Sequence, residues 1–145
     1  MTAPGIDAAN AHLTTCRLAP AWFVRVELAD RDDARVREAV ADAVGLAYGP
    51  YRDVAFEGAT GRQFFRPVDG SKLGAGADAV TMPARVLTFS VPRDPEVLAR
   101  ALEAVRHAHS YEEPVIHVHE VWASRAETGG DRDNPNRWWN RGFAV

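Results

Sequence analysis

Four stretches of this chain alternate apolar and polar side chains, and two others carry apolar residues at every third or fourth position. The first alternation sets Trp22, Val24, Val26 and Leu28 against Phe23, Arg25 and Glu27, which predicts a strand with its even face in the core. Val36, Val40 and Val44 with Ala39 and Ala43 then form a helical stripe that Gly45 brings to a stop. Asp30 is placed to cap this helix, and Asp32 and Asp33 lie in its first turn, where the helix dipole favours negative charge. After a turn at Tyr48-Gly-Pro-Tyr51, Arg52 to Glu57 predicts a second strand that buries Val54 and Phe56. A short aromatic strand, Gln63 to Arg66, is halted by Pro67 and Asp69-Gly70.

Gly70, Gly74 and Gly76 recur between Val68 and Thr81, where little can form a core, so this segment is expected to be a mobile loop. Arg85 to Val91 alternates again, with Leu87, Phe89 and Val91 inward. Asp94-Pro95-Glu96 is a strong helix start, a capping carboxylate followed by proline at the first helical position, and Leu98, Ala101, Leu102, Val105 and Ala108 make the stripe. The last strand follows a turn at Glu113-Pro114 and alternates Val115, His117, His119 and Val121 with Ile116, Val118, Glu120 and Trp122.

This order is strand, helix, strand with an extra short hairpin strand, strand, helix, strand. It predicts an α+β protein of the ferredoxin-like βαββαβ kind, an antiparallel sheet with both helices on one face and the other face uncovered. Residues 20–123 are expected to make that domain, with a flexible N-terminal arm over 1–19 and a C-terminal tail over 124–145. The tail carries Trp138 and Trp139, whose exposure to water is costly, so one of them is expected to dock on the body or on a neighbouring subunit.

Composition narrows the function classes. A chain of 145 residues, 46% hydrophobic and 26% charged, is of ordinary globular type, and a net charge of -3 without a basic face gives no reason to expect nucleic acid. The single cysteine, Cys16, excludes an intrachain disulfide and fits a reducing cytoplasm. The first fifteen residues lack a signal-peptide pattern, and no apolar run approaches the roughly 20 residues of a spanning helix, so no membrane partner is expected. The glycine-rich loop has no Gly-Lys-Ser/Thr leading into a helix, and no nucleotide cofactor is predicted.

Candidate chemistry concentrates between His107 and Trp122, which hold four of the five histidines and the adjacent pair Glu112 and Glu113. On a strand His117 and His119 project to the same side, near enough to share a divalent ion. Imidazole with carboxylate favours zinc, copper or nickel over magnesium. The same side chains can serve as acid and base, since an unperturbed imidazole titrates near neutrality. The plain alternative is a polar, solvent-facing edge, with His109 and Tyr111 holding the helix-to-strand turn together.

Ala108-His-Ser-Tyr-Glu-Glu-Pro-Val115 resembles the motif Ala-His-Pro-Tyr-Glu-Glu-Pro-Ala of the small domain inserted in the dinuclear-metal-centre hexameric family, a domain that also exists alone. Gly61-Arg-Gln-Phe-Phe-Arg-Pro-Val-Asp-Gly70 is similar to the Gly-x-Gln-Phe-x-Pro segment of those stand-alone relatives, with one residue more. The wording around His109 is also similar to CutA, the divalent-cation-tolerance family, whose fold is that of the trimeric nitrogen-signalling regulators. Over Trp22 to Trp122 the resemblance implies a CutA-like fold, a homo-oligomer, of which a trimer is the first expectation, and binding of a divalent metal or small ligand at a cleft between subunits. The dinuclear centre itself belongs to the larger domain and is not implied. The chain departs from the motif at Ser110, where proline is usual, and at Ile116-His-Val-His119, where Tyr-Asp-Val-Tyr is usual. The candidate metal ligands are thus His109, His117, His119 and Glu113, with Arg66, Tyr111 and Glu112 as ligand-binding residues. An enzyme using His109, His117, His119 and Glu113 as its catalytic residues, and a regulatory interaction module built on the glycine-rich loop, are the alternatives.

Overall fold

The structure, a computed structural model, describes residues 4–76, 78–127 and 131–142. In chain order they form α1 (Pro4–His12), β1 (Cys16–Ala29), a 3-10 turn (Asp30–Asp32), α2 (Asp33–Val44), β2 (Phe56–Glu57), β3 (Gly61–Phe65), β4 (Val80–Pro92), α3 (Pro95–Ala108), β5 (Ile116–Ala126) and a second 3-10 turn (Trp138–Asn140). The strands make one sheet in the order β2-β4-β1-β5, with β3 also paired to β4. Two compact units divide the chain, residues 20–121 and the described residues of 1–19 with 122–145. Among the described residues no helix is long and apolar enough to cross a membrane.

In the unit 20–121 the register explains the core. β1 and β4 are antiparallel with Trp22 opposite Val91, Val24 opposite Phe89 and Val26 opposite Leu87, so the inward sets of both strands share one face. Val36 and Val40 of α2 and Ala101 and Val105 of α3 close over that face, with Ile116 of β5 packed at its margin. Each buried valine, leucine or phenylalanine of this core contributes about 1.5–3 kcal/mol. The result is the α+β, ferredoxin-like arrangement, with β3 as the additional short strand.

Local signals account for two helix ends, whereas Asp30, expected to cap α2, lies in the 3-10 turn with its carboxylate on Thr60 and Arg85. The Asp94 carboxylate accepts the Glu96 amide at 2.9 Å at the start of α3, as its sequence predicts. Gly45 ends α2 with φ +77° and gives its amide to the Ala41 carbonyl. A Cβ at position 45 meets the Arg52 guanidinium at 3.2 Å. Gly45→Ala is therefore expected to lower stability by about 1–2 kcal/mol, read as an earlier midpoint in urea. A midpoint equal to the wild type removes the argument from backbone handedness.

Several expectations change. The strand expected over 52–57 shrinks to Phe56–Glu57, because Asp53 takes φ +59° and the Asp53 and Val54 amides turn back to the Gly45 and Leu46 carbonyls at 3.0 and 2.9 Å. Val54 is 38% exposed, and Phe56, opposite Thr88 on the side of β4 away from the helices, is 72% exposed, where both were expected to be buried. Asp32, expected in the first turn of the helix, precedes α2 and turns its carboxylate to residues 35 and 110. Residues 4–12, expected without regular structure, form α1, and β1 begins at Cys16 rather than near Trp22. Proline suits the first helical position, and Asp7 lies in the first turn.

Within the second unit the Asn10 side chain pairs with both the amide and the carbonyl of Leu18, at 2.7 and 3.1 Å, as a neighbouring strand would. Glu127 gives its amide to Thr15 at 2.9 Å and its carboxylate lies 3.7 Å from Arg17. The tail is not an extended linker throughout, since β5 runs on to Ala126. Asp131 pairs with Arg137, and Trp139 gives its indole N–H to the Arg132 carbonyl at 3.0 Å. Trp138 and Trp139 are half-exposed and meet edge to face, 5.7 Å between centroids.

Candidate functional site

The turn from α3 into β5 is built around two buried polar groups, Asp32 and His109. The Asp32 carboxylate accepts the Ser110 amide at 3.2 Å, the Ser110 hydroxyl, and the Arg35 guanidinium, whose Nε also donates to the Ala108 carbonyl at 2.7 Å. Burial on its own raises the pKa of this carboxyl, but the Ser110 and Arg35 bonds outweigh it and hold Asp32 below the usual carboxylate range. One acid therefore ties the start of α2 to the end of α3.

His109 has both ring nitrogens engaged. Nε2 donates to the Glu27 carbonyl at 2.8 Å, and Nδ1 accepts the Tyr111 amide at 3.1 Å, an assignment that follows from the two partners. The ring lies 4.7 Å from that of Tyr111, whose hydroxyl donates to the Met82 sulfur at 3.1 Å. Burial, followed by the Asp32 charge, pushes the Tyr111 phenol above its ordinary pKa, so it stays a donor at neutral pH. In this geometry His109 and Tyr111 hold the turn, which is the plain reading of the motif, and His109 has no lone pair left for an ion.

The other candidates lie further out. Glu112, Glu113, His117 and His119 are exposed, as is Arg66 in the segment after β3. Ile116 packs against the core, so His117 and His119, one residue out of phase, face away from the helices. His119 shares that open face with Phe23 of β1, at 6.5 Å between ring centroids. Both oxygens of Glu112 accept the Lys72 amide at 3.1 Å. Among the described residues no three His, Cys, Asp or Glu side chains gather as a metal shell, so His109, His117, His119 and Glu113 do not converge within one protomer.

Sequence patterning gave no signal for the polar pairing on the same open face. Arg25 and Glu27 of β1 pair at 2.5 Å, and the Gln63 amide of β3 donates to Glu27 at 3.2 Å. Alternation identified Arg25 and Glu27 as the outward set, but only the register, Gln63 opposite Met82 on β4, brings β3 to them. A second polar group lies at the start of α2. Arg85 and Thr60 hold Asp30 below its usual pKa, whereas burial and the neighbouring Asp33 raise that of Glu57 against Arg85 and Arg37.

No protein-family model matches the sequence, and no curated protein matches it. Solved structures do match. A Bacillus cereus protein related to NIF3 superposes with a TM-score of 0.60 at 20% identity over 81% of this chain. This chain spans only 31% of that protein. CutA from Synechococcus elongatus gives 0.54 at 14% identity, covering 78% of this chain and 87% of its own. The periplasmic divalent cation tolerance protein CutA from Archaeoglobus fulgidus gives 0.51 at 14% identity, covering 70% and 83%. At such identities the likeness is one of fold, and the fold is CutA-like.

Proposed function

We propose that the protein is a homo-oligomer, a trimer in the first instance, that binds a divalent transition metal or a small ligand in a cleft between copies. The observation that carries this reading is the placement of His117 and His119, two imidazoles on one side of a strand at the sheet edge, turned away from the helical layer. One protomer supplies two donors of the kind that zinc, copper and nickel prefer. Because His109 is committed to the turn, the remaining positions fall to residues of a second copy, its Glu113 among them. Arg66, Tyr111 and Glu112 are the side chains proposed to meet an organic ligand. The name of the Archaeoglobus fulgidus structure, a divalent cation tolerance protein, is consistent with an ion as cargo.

The test is thermal unfolding with and without Zn²⁺, Cu²⁺ or Ni²⁺, together with native mass spectrometry of protein purified without added metal. At an ion concentration about one hundred times Kd, the wild type is expected to gain about 2.7 kcal/mol. The His117→Ala/His119→Ala double variant is expected to gain none. A wild-type melting curve that no ion moves, or a monomer in the native spectrum, defeats the proposal.

A regulatory interaction module is the second reading, favoured by one observation. Phe64, Val68 and Leu73, in β3 and the segment after it, are 63%, 65% and 72% exposed. Such apolar exposure is characteristic of binding surfaces.

A further inference from the structure

The carboxylate of Glu112 already holds a partner from within its own chain, the Lys72 amide. Lys72 belongs to a segment that closes on itself. Gly76 gives its amide to the Pro67 carbonyl at 3.2 Å, Ser71 gives its amide to Val68 at 3.2 Å, and Gly74 gives its amide to Ser71 at 2.9 Å. The Ser71 hydroxyl adds a bond to the Val68 carbonyl at 2.8 Å. A loop tied mainly to itself can move as a body about its two ends. The other side of the contact is fixed, since the turn bearing Glu112 is anchored through His109 and Asp32.

We propose that Glu112 is a latch: it positions loop 67–76 against the turn, and an N–H donor arriving from outside releases the loop by displacing the Lys72 amide. The chemical class that fits is a guanidinium group. It offers two parallel N–H bonds and a positive charge to the carboxylate, where the loop offers one neutral N–H shared between two oxygens. Glu112 and Lys72 are both exposed, so the existing bond competes with water and is weak enough to be displaced. Exposed Leu73 next to Lys72 moves with the loop, which makes the latch a control on what the loop presents. This inference stands apart from the ion-binding reading, because its test contains no metal.

Hydrogen exchange at the Lys72 amide of the full chain is the measurement. Glu112→Ala is expected to speed exchange about tenfold, which corresponds to about 1.4 kcal/mol. Glu112→Gln, which keeps one acceptor oxygen and loses the charge, is expected to fall between, and Glu113→Ala to leave the rate unchanged. Methylguanidinium is expected to speed exchange in the wild type and to do nothing further to Glu112→Ala. Equal rates in the wild type and Glu112→Ala overturn the latch, and a wild type indifferent to methylguanidinium overturns the displacement. If circular dichroism shows that Glu112→Ala is unfolded, the comparison with Glu112→Gln decides in the same way.

Discussion

Replacing Asp32 by alanine is expected to destabilise the protein by about 3 kcal/mol, measured as the loss of unfolding free energy in urea. The side chain is 1% exposed and accepts from the Ser110 amide, the Ser110 hydroxyl and Arg35. Its removal leaves those donors unpaired and frees the end of α3 from the start of α2. The pH dependence follows from the direction of the shift. With the folded pKa below the unfolded value of about 3.9, the contribution is complete above that value and is lost as pH falls through the folded pKa. Asp32→Asn cannot titrate, so the stability gap between wild type and variant is expected to be widest near neutral pH and to narrow below pH 4. A gap that is constant with pH, or an alanine variant within about 0.5 kcal/mol of wild type, removes Asp32 from the centre of the turn.

That role was not legible in the sequence, and the reason is physical. An aspartate ahead of a helical stripe is most simply a residue of the first turn, and its partner Ser110 lies 78 positions away. Only the packing of α2 beside α3 brings the two together. The fold itself was legible because alternation and helical spacing are set by burial on one face, and burial acts in the same sense on each inward position of Trp22 to Leu28 and of Val36 to Val44. The exposed face gives no such constraint. Phe56 and Val54 have apolar side chains that suggest an inward set, yet the left-handed Asp53 and the pairing of Phe56 with Thr88 place Phe56 outside. The N-terminal residues escaped for a related cause, since the Asn10 side chain that bonds to Leu18 has no periodic signature. For the site, the common orientation of His117 and His119 was readable from period two alone. The turn-holding role of His109 was one of the readings its motif left open, but its partner was not legible, because the Glu27 carbonyl belongs to a distant strand.

His109 is the second position at which a single change is expected to have a large effect. His109→Ala removes the donor to the Glu27 carbonyl, the acceptor of the Tyr111 amide and the ring beside Tyr111, for a loss of about 2–3 kcal/mol. His109→Phe separates these causes, since it keeps a ring of similar size and loses both nitrogens. It is expected to retain less than half of the lost stability, because the Glu27 carbonyl and Tyr111 amide remain unpaired. A phenylalanine variant as stable as the wild type means that ring volume alone matters. The Asp32→Ala/His109→Ala double variant carries the argument further. Ser110, held by Asp32, and Tyr111, held by His109, are adjacent in the chain, so once one anchor is lost the other has less of an ordered turn to hold. The combined loss is therefore expected to fall short of the sum by about 1 kcal/mol, whereas two independent anchors give simple addition. A shortfall of that size identifies the turn as one cooperative unit, which is what a fixed platform for Glu112 and Glu113 requires.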